Sequence, residues 1–221
     1  HDSRLEIRHA MQFGVQGWPL NRPRQPVVRV SWEQATAFCE WLSERTGEGF
    51  SLPTEMQWEY ACRAGSNQSY WFGGPGADFS AYANLADVTM RNAVSDPYQK
   101  VNAPLPNPTR YDDWIPRDQQ FSDGQLVSSD VGLFSPNPWG LCDMHGNVWE
   151  WTASAETADV MGTGSNQLTD TQLRRIVRGG SWRDRPHRAT ASFRLAYVPF
   201  QRVYNVGFRV VCPSTSQLTS R

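Results

Sequence analysis

The segment from Gly140 to Trp151, with the sequence GLCDMHGNVWEW, constrains the fold more than any other part of this chain. It places Asp143 and Glu150 among large apolar side chains, a mixture that neither an amphipathic helix nor a plain strand needs. A buried carboxylate is unfavourable unless a cation or several donors compensate for it, and Ca²⁺ prefers carboxylate and carbonyl oxygens. The pattern therefore predicts a buried polar turn, with calcium as its first candidate occupant.

Composition and charge favour one globular domain. The 221 residues are 39% hydrophobic and carry a formal net charge of −1. They can form one sizeable core, and we interpret residues 1–221 as a single domain. Because the net charge is near zero, no nucleic acid or anionic membrane is expected as a partner. No apolar run is long enough to span a bilayer.

Two helices are predicted from capping signals and apolar spacing. Ser31 and Thr54 are each followed three positions later by Gln, which is the pattern of a capping box at a helix start. Apolar residues then recur at helical spacing until a glycine ends each run. The predicted helices span residues 32–45 and 54–64.

The rest of the chain predicts short strands and irregular backbone. Short antiparallel strands are expected at about 176–178, 192–196 and 207–212. Residues 66–137 are rich in Gly, Pro, Asn and Asp, yet they also carry many aromatic rings. We interpret this segment as ordered, irregular backbone that aromatic rings and bound metal hold in place.

Several motifs in a fixed order make the chain resemble a known family. They lie at 30–35 (VSWEQA), 38–41 (FCEW), 52–55 (LPTE), 58–63 (WEYACR), 140–151, 178–182 (RGGSW) and 207–209 (GFR). Their order resembles that of the formylglycine-generating-enzyme family, also called the sulfatase-modifying-factor family, over about residues 28–211. The resemblance implies an α+β variant of the C-type-lectin fold. It also implies an N-terminally incomplete domain, because family members usually carry further strand-rich sequence before this region.

The resemblance implies two calcium sites made of side-chain and carbonyl oxygens. The implied ligands of the first site are Asn84, Leu85, Asp123 and Gln125. The implied ligands of the second site are Asp143, Gly146, Val148 and Glu150. From the residues alone an alternative remains open, in which Asp143 and Glu150 accept backbone hydrogen bonds in a tight turn.

Cysteine positions argue against the activity for which the family is named. Family enzymes that generate formylglycine hold copper with two cysteines shortly after the RGGS motif, and residues 182–190 of this chain contain none. No copper is therefore expected. By resemblance Cys39 and Cys212 are candidates for a disulfide. Because Cys212 lies two residues after the position that is usual in the family, formation of this disulfide stays open. Cys62 and Cys142 are expected to be free.

Arginines are concentrated around the last two motifs, RGGSW and GFR. Lys100 is the only lysine, against twenty arginines, and nine of these lie between Arg174 and Arg209. Forked donors beside aromatic rings suit a peptide, a protein or a small acidic ligand. The expected ligand-binding residues are Trp182, Arg183, Asp184, Arg185, Arg188, Tyr197, Arg202 and Tyr204. For the strand residues Arg178, Arg194 and Arg209, internal pairing with Asp or Glu is expected instead.

Two other functions stay open beside recognition. Residues 192–202 resemble the sulfoxide synthases of ergothioneine biosynthesis, whose iron site would here lie on an upstream domain or partner chain. Of the histidines in this chain, His145 is expected to be structural and His187 to lie on the surface. A hypervariable display protein of a diversity-generating element uses the same fold. Localisation is open too, since an upstream signal would direct a bacterial protein to the periplasm or outside the cell.

Overall fold

The structure is a computed structural model that describes residues 20–88, 118, 120–156 and 173–213. Its helices are α1 (Trp32–Thr46) and α2 (Glu55–Arg63). Its strands are β1 (Trp149–Ala155), β2 (Arg175–Arg178), β3 (Arg194–Tyr197) and β4 (Val206–Phe208). A short 3-10 helix, Pro186–Ala189, lies between β2 and β3. No helix within these ranges is long and apolar enough to cross a membrane.

Both predicted helices are confirmed, and their caps explain their starts. The Ser31 side chain accepts from the Gln34 N–H, and the Gln34 side chain accepts from the Ser31 N–H. Thr54 and its following Gln form the same reciprocal pair at the start of α2. Helix α1 ends at Gly47, whose φ of 77° is the left-handed conformation that glycine adopts at little cost.

The sheet is mixed, whereas the sequence had indicated only antiparallel strands. Its order is β3-β2-β1-β4, in which β1–β2 and β2–β3 are antiparallel and β1–β4 is parallel. Strand β1 was not predicted. Four of its residues, from Trp149 to Thr152, are buried in succession, so both faces of the strand are covered. Its sequence, WEWTASA, alternates apolar and polar residues, so the signal of a strand was present but was assigned to the polar turn.

The main core lies between α1 and the sheet. Trp149 and Trp151 of β1 pack with Ala35 and Cys39 of α1 and with Val177 of β2. These large rings dominate the buried apolar surface, and each also needs an acceptor for its indole N–H. Trp149 donates to Asp184 and Trp151 to the Val30 carbonyl, so the core depends on acceptors that lie outside the sheet.

The irregular segment is ordered by stacked rings, as predicted for the part that the structure describes. Phe72 stacks on Tyr70 and on Tyr82, with ring centroids 5.1 and 4.8 Å apart. Trp71 contacts Tyr82 edge-on at 5.1 Å. The predicted contributors Tyr98, Tyr111 and Trp114 lie outside the described residues.

His145 has the structural role that was expected. Its Nδ1 lies 2.6 Å from the Ala189 carbonyl oxygen, and its Nε2 accepts from the Trp71 N–H at 3.2 Å. Burial lowers the pKa of His145 to about 4, so the ring is neutral with its proton on Nδ1. His187 is exposed, also as expected.

Each of the four cysteines is a free thiol. Cys39 is buried and Cys212 is exposed, so the disulfide that the sequence left open is not formed. Cys62 is buried, with its sulfur 3.5 Å from His145 Nε2, and burial raises the pKa of its thiol well above the ordinary value. The expectation of a free, buried Cys62 is confirmed, while Cys142 is half-buried.

Candidate functional site

The first predicted calcium site centres on Asn84, which is fully buried. Its Nδ2 donates to the Val127 carbonyl at 2.9 Å, whereas its Oδ1 is buried without any hydrogen-bond partner. The Asn84 carbonyl accepts from the Asn147 N–H at 2.8 Å. A buried amide oxygen without a donor is unfavourable, so this atom needs a positive group that the neighbouring side chains do not provide.

Asp123 lies against the same segment and completes the carboxylate part of the site. One of its oxygens accepts from the Leu85 N–H and the other from the Gln125 N–H, both at 2.7 Å. Burial raises the pKa of Asp123 to about 7, with a further contribution from the charge of Asp87 and despite the hydrogen bond from Leu85. The four predicted residues of this site are therefore brought together.

Asp87 belongs to this arrangement and was missed from the sequence. It is fully buried, and its Oδ2 accepts from the Asp123 N–H at 2.6 Å. A carboxylate three positions after Asn84 was the available signal, because residues this close in an irregular turn can face the same site. One buried and one half-buried carboxylate thus belong to the same irregular segment as the unsatisfied amide oxygen of Asn84.

The second predicted site contains a cation that the protein itself supplies. Arg209 Nε lies 2.5 Å from Glu150 Oε2, and Arg209 Nη2 lies 2.7 Å from Glu150 Oε1. Trp58 Nε1 also donates to Glu150, at 2.6 Å. Although burial favours the neutral guanidinium, the charge and hydrogen bonds of Glu150 raise the pKa of Arg209. Neither Arg209 nor Trp58 had been assigned to this site from the sequence.

The remaining residues of the second site form the tight turn before β1. Asp143 Oδ2 accepts from the Gly132 N–H at 2.7 Å, while its Oδ1 is buried without a partner. Burial raises the pKa of Asp143, against the effect of the bond from Gly132. Gly146 has no room for a side chain, since a Cβ there would lie 2.2 Å from the Asn84 carbonyl oxygen. Val148 is buried in an adjacent core cluster.

The parts of the chain that the structure describes contain no metal site made only of side chains. Within them, no group of three or more His, Cys, Asp or Glu side chains could hold a metal ion. The oxygen sets described above differ from such clusters, because they combine one or two carboxylates with amide and backbone oxygens.

Two of the predicted ligand-binding residues, Trp182 and Asp184, are buried. Trp182 is 7% exposed and packs with Val28 and Val148. Asp184 is 6% exposed and accepts from Trp149 Nε1 at 2.8 Å. Asp184 therefore serves as the acceptor that a buried indole requires, and its position corrects the expectation of a direct ligand contact.

Around these two residues the structure brings together the other predicted positions. Arg188 donates to Asp184 Oδ1 at 3.3 Å and is 45% exposed. The Arg183 guanidinium contacts the Tyr204 hydroxyl and lies 5.4 Å from the centre of its ring. Burial, and then the charge of Asp184, raises the pKa of Tyr197, whereas the charge of Arg188 lowers it.

The outer part of this surface is positively charged. Arg202 is exposed, and Arg185 is half-buried with a partner of its own. Burial, followed by the charges of Arg188 and Arg185, lowers the pKa of His187. We call the half-buried and exposed residues of this surface the arginine face; they are Arg183, Arg185, Arg188, Tyr197, Arg202 and Tyr204.

The three strand arginines pair internally, as expected. Arg178 is buried and contacts Glu59 and Glu55, and Arg194 lies 3.1 Å from Glu55. Arg209 pairs with Glu150. These arginines hold α2 and the polar turn to the sheet and are not part of the arginine face.

The helices, the mixed sheet and the polar turn define an α+β domain of the variant C-type-lectin type. The chain belongs to the formylglycine-generating-enzyme family, because the model of the sulfatase-modifying factor enzyme 1-like domain matches residues 16–213. This match confirms the family that the motifs had indicated.

The chain resembles both a relative named as an inactive enzyme and a relative named as a formylglycine-generating enzyme. It is 33% identical over 192 residues to inactive C-alpha-formylglycine-generating enzyme 2 of Bos taurus, covering 83% of this chain and 49% of the relative. It is 31% identical over 215 residues to the formylglycine-generating enzyme of Streptomyces coelicolor, covering 90% and 55%. The chain thus spans about half the length of these curated relatives. Membership of the family does not by itself decide activity.

A solved structure supports the fold. The structure of PvdO from Pseudomonas aeruginosa superposes with a TM-score of 0.64 at 27% identity, covering 90% of this chain and 66% of that chain. The α+β fold predicted from the sequence is thereby confirmed, with the correction that one strand pair is parallel.

Proposed function

We propose that this chain is a recognition domain that binds a peptide or small acidic ligand on its arginine face and does not generate formylglycine. The observation that carries the proposal is the charge balance around Asp184. One carboxylate serves Trp149, Ser181 and Arg188 together, through contacts of 2.8, 2.5 and 3.3 Å. Because Asp184 is shared in this way and Arg202 is exposed, positive potential extends from this surface into solvent.

The neighbouring rings support the same ligand class. Tyr204 holds the Arg183 guanidinium through its hydroxyl and its ring, so less side-chain entropy remains to be lost when an anion binds. The charges of Asp184 and Arg188 both act on the Tyr197 hydroxyl. Arginine with tyrosine is a combination that recognises planar carboxylates in a partly desolvated setting.

Binding of a labelled hexaglutamate peptide, followed by fluorescence anisotropy at low salt, tests this proposal. We expect saturable binding that is stronger than that of hexalysine and that weakens several-fold in Arg188→Ala and in Arg202→Ala. Arg45→Ala is the matched control, because Arg45 is an exposed arginine on α1 that lies against Trp41 at 5.2 Å. Equal binding by all three variants, or by hexalysine, would contradict the proposal.

The absence of formylglycine generation is proposed from the sequence of the arginine face. Soft-ligand binding of Cu(I) needs sulfur, and none of the four cysteines lies between residues 182 and 190. The protein supplied with copper and a cysteine peptide of the sulfatase type should give no aldehyde product by mass spectrometry. A mass change corresponding to the aldehyde would refute this part of the proposal.

Calcium at the first site is the second part of the proposal. The unsatisfied Asn84 Oδ1 and the carboxylates of Asp123, which is half-buried, and Asp87, which is buried, provide oxygen atoms of the kind that calcium binds. When bound, calcium would neutralise part of this charge and tie residues 84–87 to residues 123–125. The carbonyls of Leu85 and Gln125 remain the proposed backbone ligands. At the second site Arg209 already faces Glu150, so the support there is limited to Asp143 Oδ1.

A further inference from the structure

Trp182 differs from the other core tryptophans in what its indole N–H contacts. Trp58, Trp149 and Trp151 each donate Nε1–H to an oxygen of the protein, at 2.6, 2.8 and 3.0 Å. The Nε1 of Trp182 is buried and has no hydrogen-bond partner. Buried donors in folded proteins nearly always have an acceptor, so this exception needs an explanation.

The unpaired N–H belongs to a ring that contacts the arginine face. The Trp182 ring meets the Tyr204 ring edge-on, with centroids 6.2 Å apart. The Arg183 guanidinium lies 5.4 Å from the centre of the same Tyr204 ring. Tyr204 therefore connects a buried donor to a half-buried cation. The Trp182 backbone is also fixed, since its N–H donates to the Asn147 carbonyl at 2.9 Å.

We infer that the Trp182 indole N–H contacts a bound ligand. Because it can only donate, the ligand group at this point must be a hydrogen-bond acceptor. This inference rests on the proposed function and adds to it the class of ligand group. An indole nitrogen only donates, so a ligand ammonium or other pure donor is excluded at this point. A planar carboxylate fits, because one oxygen accepts from Trp182 and the other faces a donor of the Arg183 fork.

The substitution Trp182→Phe separates this contact from a structural role. It removes the N–H and keeps a large aromatic ring, so we expect hexaglutamate to bind about tenfold more weakly. The urea midpoint should fall less than in a variant that loses a paired indole, because both changes leave a cavity but the lost Trp182 donor had no partner in the free protein. Trp151→Phe is the matched control: it removes a donor bound to the Val30 carbonyl, so the midpoint should fall while affinity is kept.

Indole nitrogen NMR gives a second measurement that needs no stable variant. In protein labelled at the indole nitrogens, the Trp182 Nε1–H signal should move downfield as hexaglutamate is added, whereas those of Trp58, Trp149 and Trp151 should not. Wild-type binding with an unmoved Trp182 signal, or with unchanged affinity in Trp182→Phe, would overturn this inference and leave the proposed function standing. A wild type that does not bind hexaglutamate overturns the proposed function and this inference together.

Discussion

The two predicted calcium sites are built from similar oxygens and differ in the origin of their positive charge. At the first site the carboxylates of Asp123 and Asp87 accept from backbone N–H groups, and the amide oxygen of Asn84 has no donor. Around Glu150 the protein provides Arg209, whose two N–H groups meet both carboxylate oxygens. The difference indicates that one family motif is stabilised by the chain's own cation, while the neighbouring loop is the place where we propose one from solution.

The second site should therefore depend most strongly on Arg209. In Arg209→Ala the buried Glu150 keeps only its bond from Trp58, and we expect a loss of about 3–5 kcal/mol in the free energy of unfolding. Urea denaturation measures it. Arg24→Ala is the control, because Arg24 is 73% exposed and its contact with Asp130 should contribute less than about 1 kcal/mol. Near-wild-type stability of Arg209→Ala would mean that another cation holds Glu150, and the contrast between the sites would fail.

Removing calcium should affect only the first site. At a calcium concentration about 100 times the Kd, binding stabilises the folded state by about 2.7 kcal/mol, so chelation should lower Tm by about 5–10 °C. Added calcium should restore it. Asp123→Asn should abolish the response to chelator, whereas Glu150→Gln should retain it. If the two variants behave in the opposite way, the assignment of the sites is reversed.

The hydrogen bond from Trp58 to Glu150 gives a further test of the charge at the second site. Trp58→Phe removes the 2.6 Å bond to a charged oxygen and should reduce the free energy of unfolding by about 2 kcal/mol. In the Glu150→Gln background the same change should have a smaller effect, since the acceptor is then neutral. A double-mutant cycle by urea denaturation measures this coupling, and a coupling of zero would contradict the ion-pair description.

Asp143 should give the smallest effect. Its φ of 56° is a left-handed conformation that asparagine adopts readily, and an amide oxygen can accept from the Gly132 N–H. Asp143→Asn should lower the free energy of unfolding by less than about 1 kcal/mol and leave the chelator response unchanged. A vanished response would restore the second site as a calcium site.

The parts of the structure that local sequence determines were predicted well. The starts of α1 and α2 depend on Ser31 and Thr54, each with its capping partner three positions away. The internal pairing of Arg178 was also anticipated, because a guanidinium on a buried strand needs a carboxylate nearby. Such features require only near neighbours or a general rule about charge.

Residues whose roles depend on distant partners were not predicted. Asp184 was expected on the surface, but it accepts from Trp149, 35 positions away in the sequence. Strand β1 was missed although its sequence alternates apolar and polar residues, and its pairing with β4 brings together residues far apart in the chain. The calcium ligands and the alternative functions remain predictions, because their tests lie in metal binding and in sequence beyond this region.

The pairing of β1 with β4 also has a consequence for synthesis on the ribosome. Arg209 follows Glu150 by 59 positions, so at 5–20 residues per second it is made roughly 3–12 s later. During that interval the Glu150 carboxylate has no guanidinium partner, and the edge of β1 that later receives β4 is open. The nascent chain therefore passes through a period in which Trp149 and Trp151 cannot be fully enclosed.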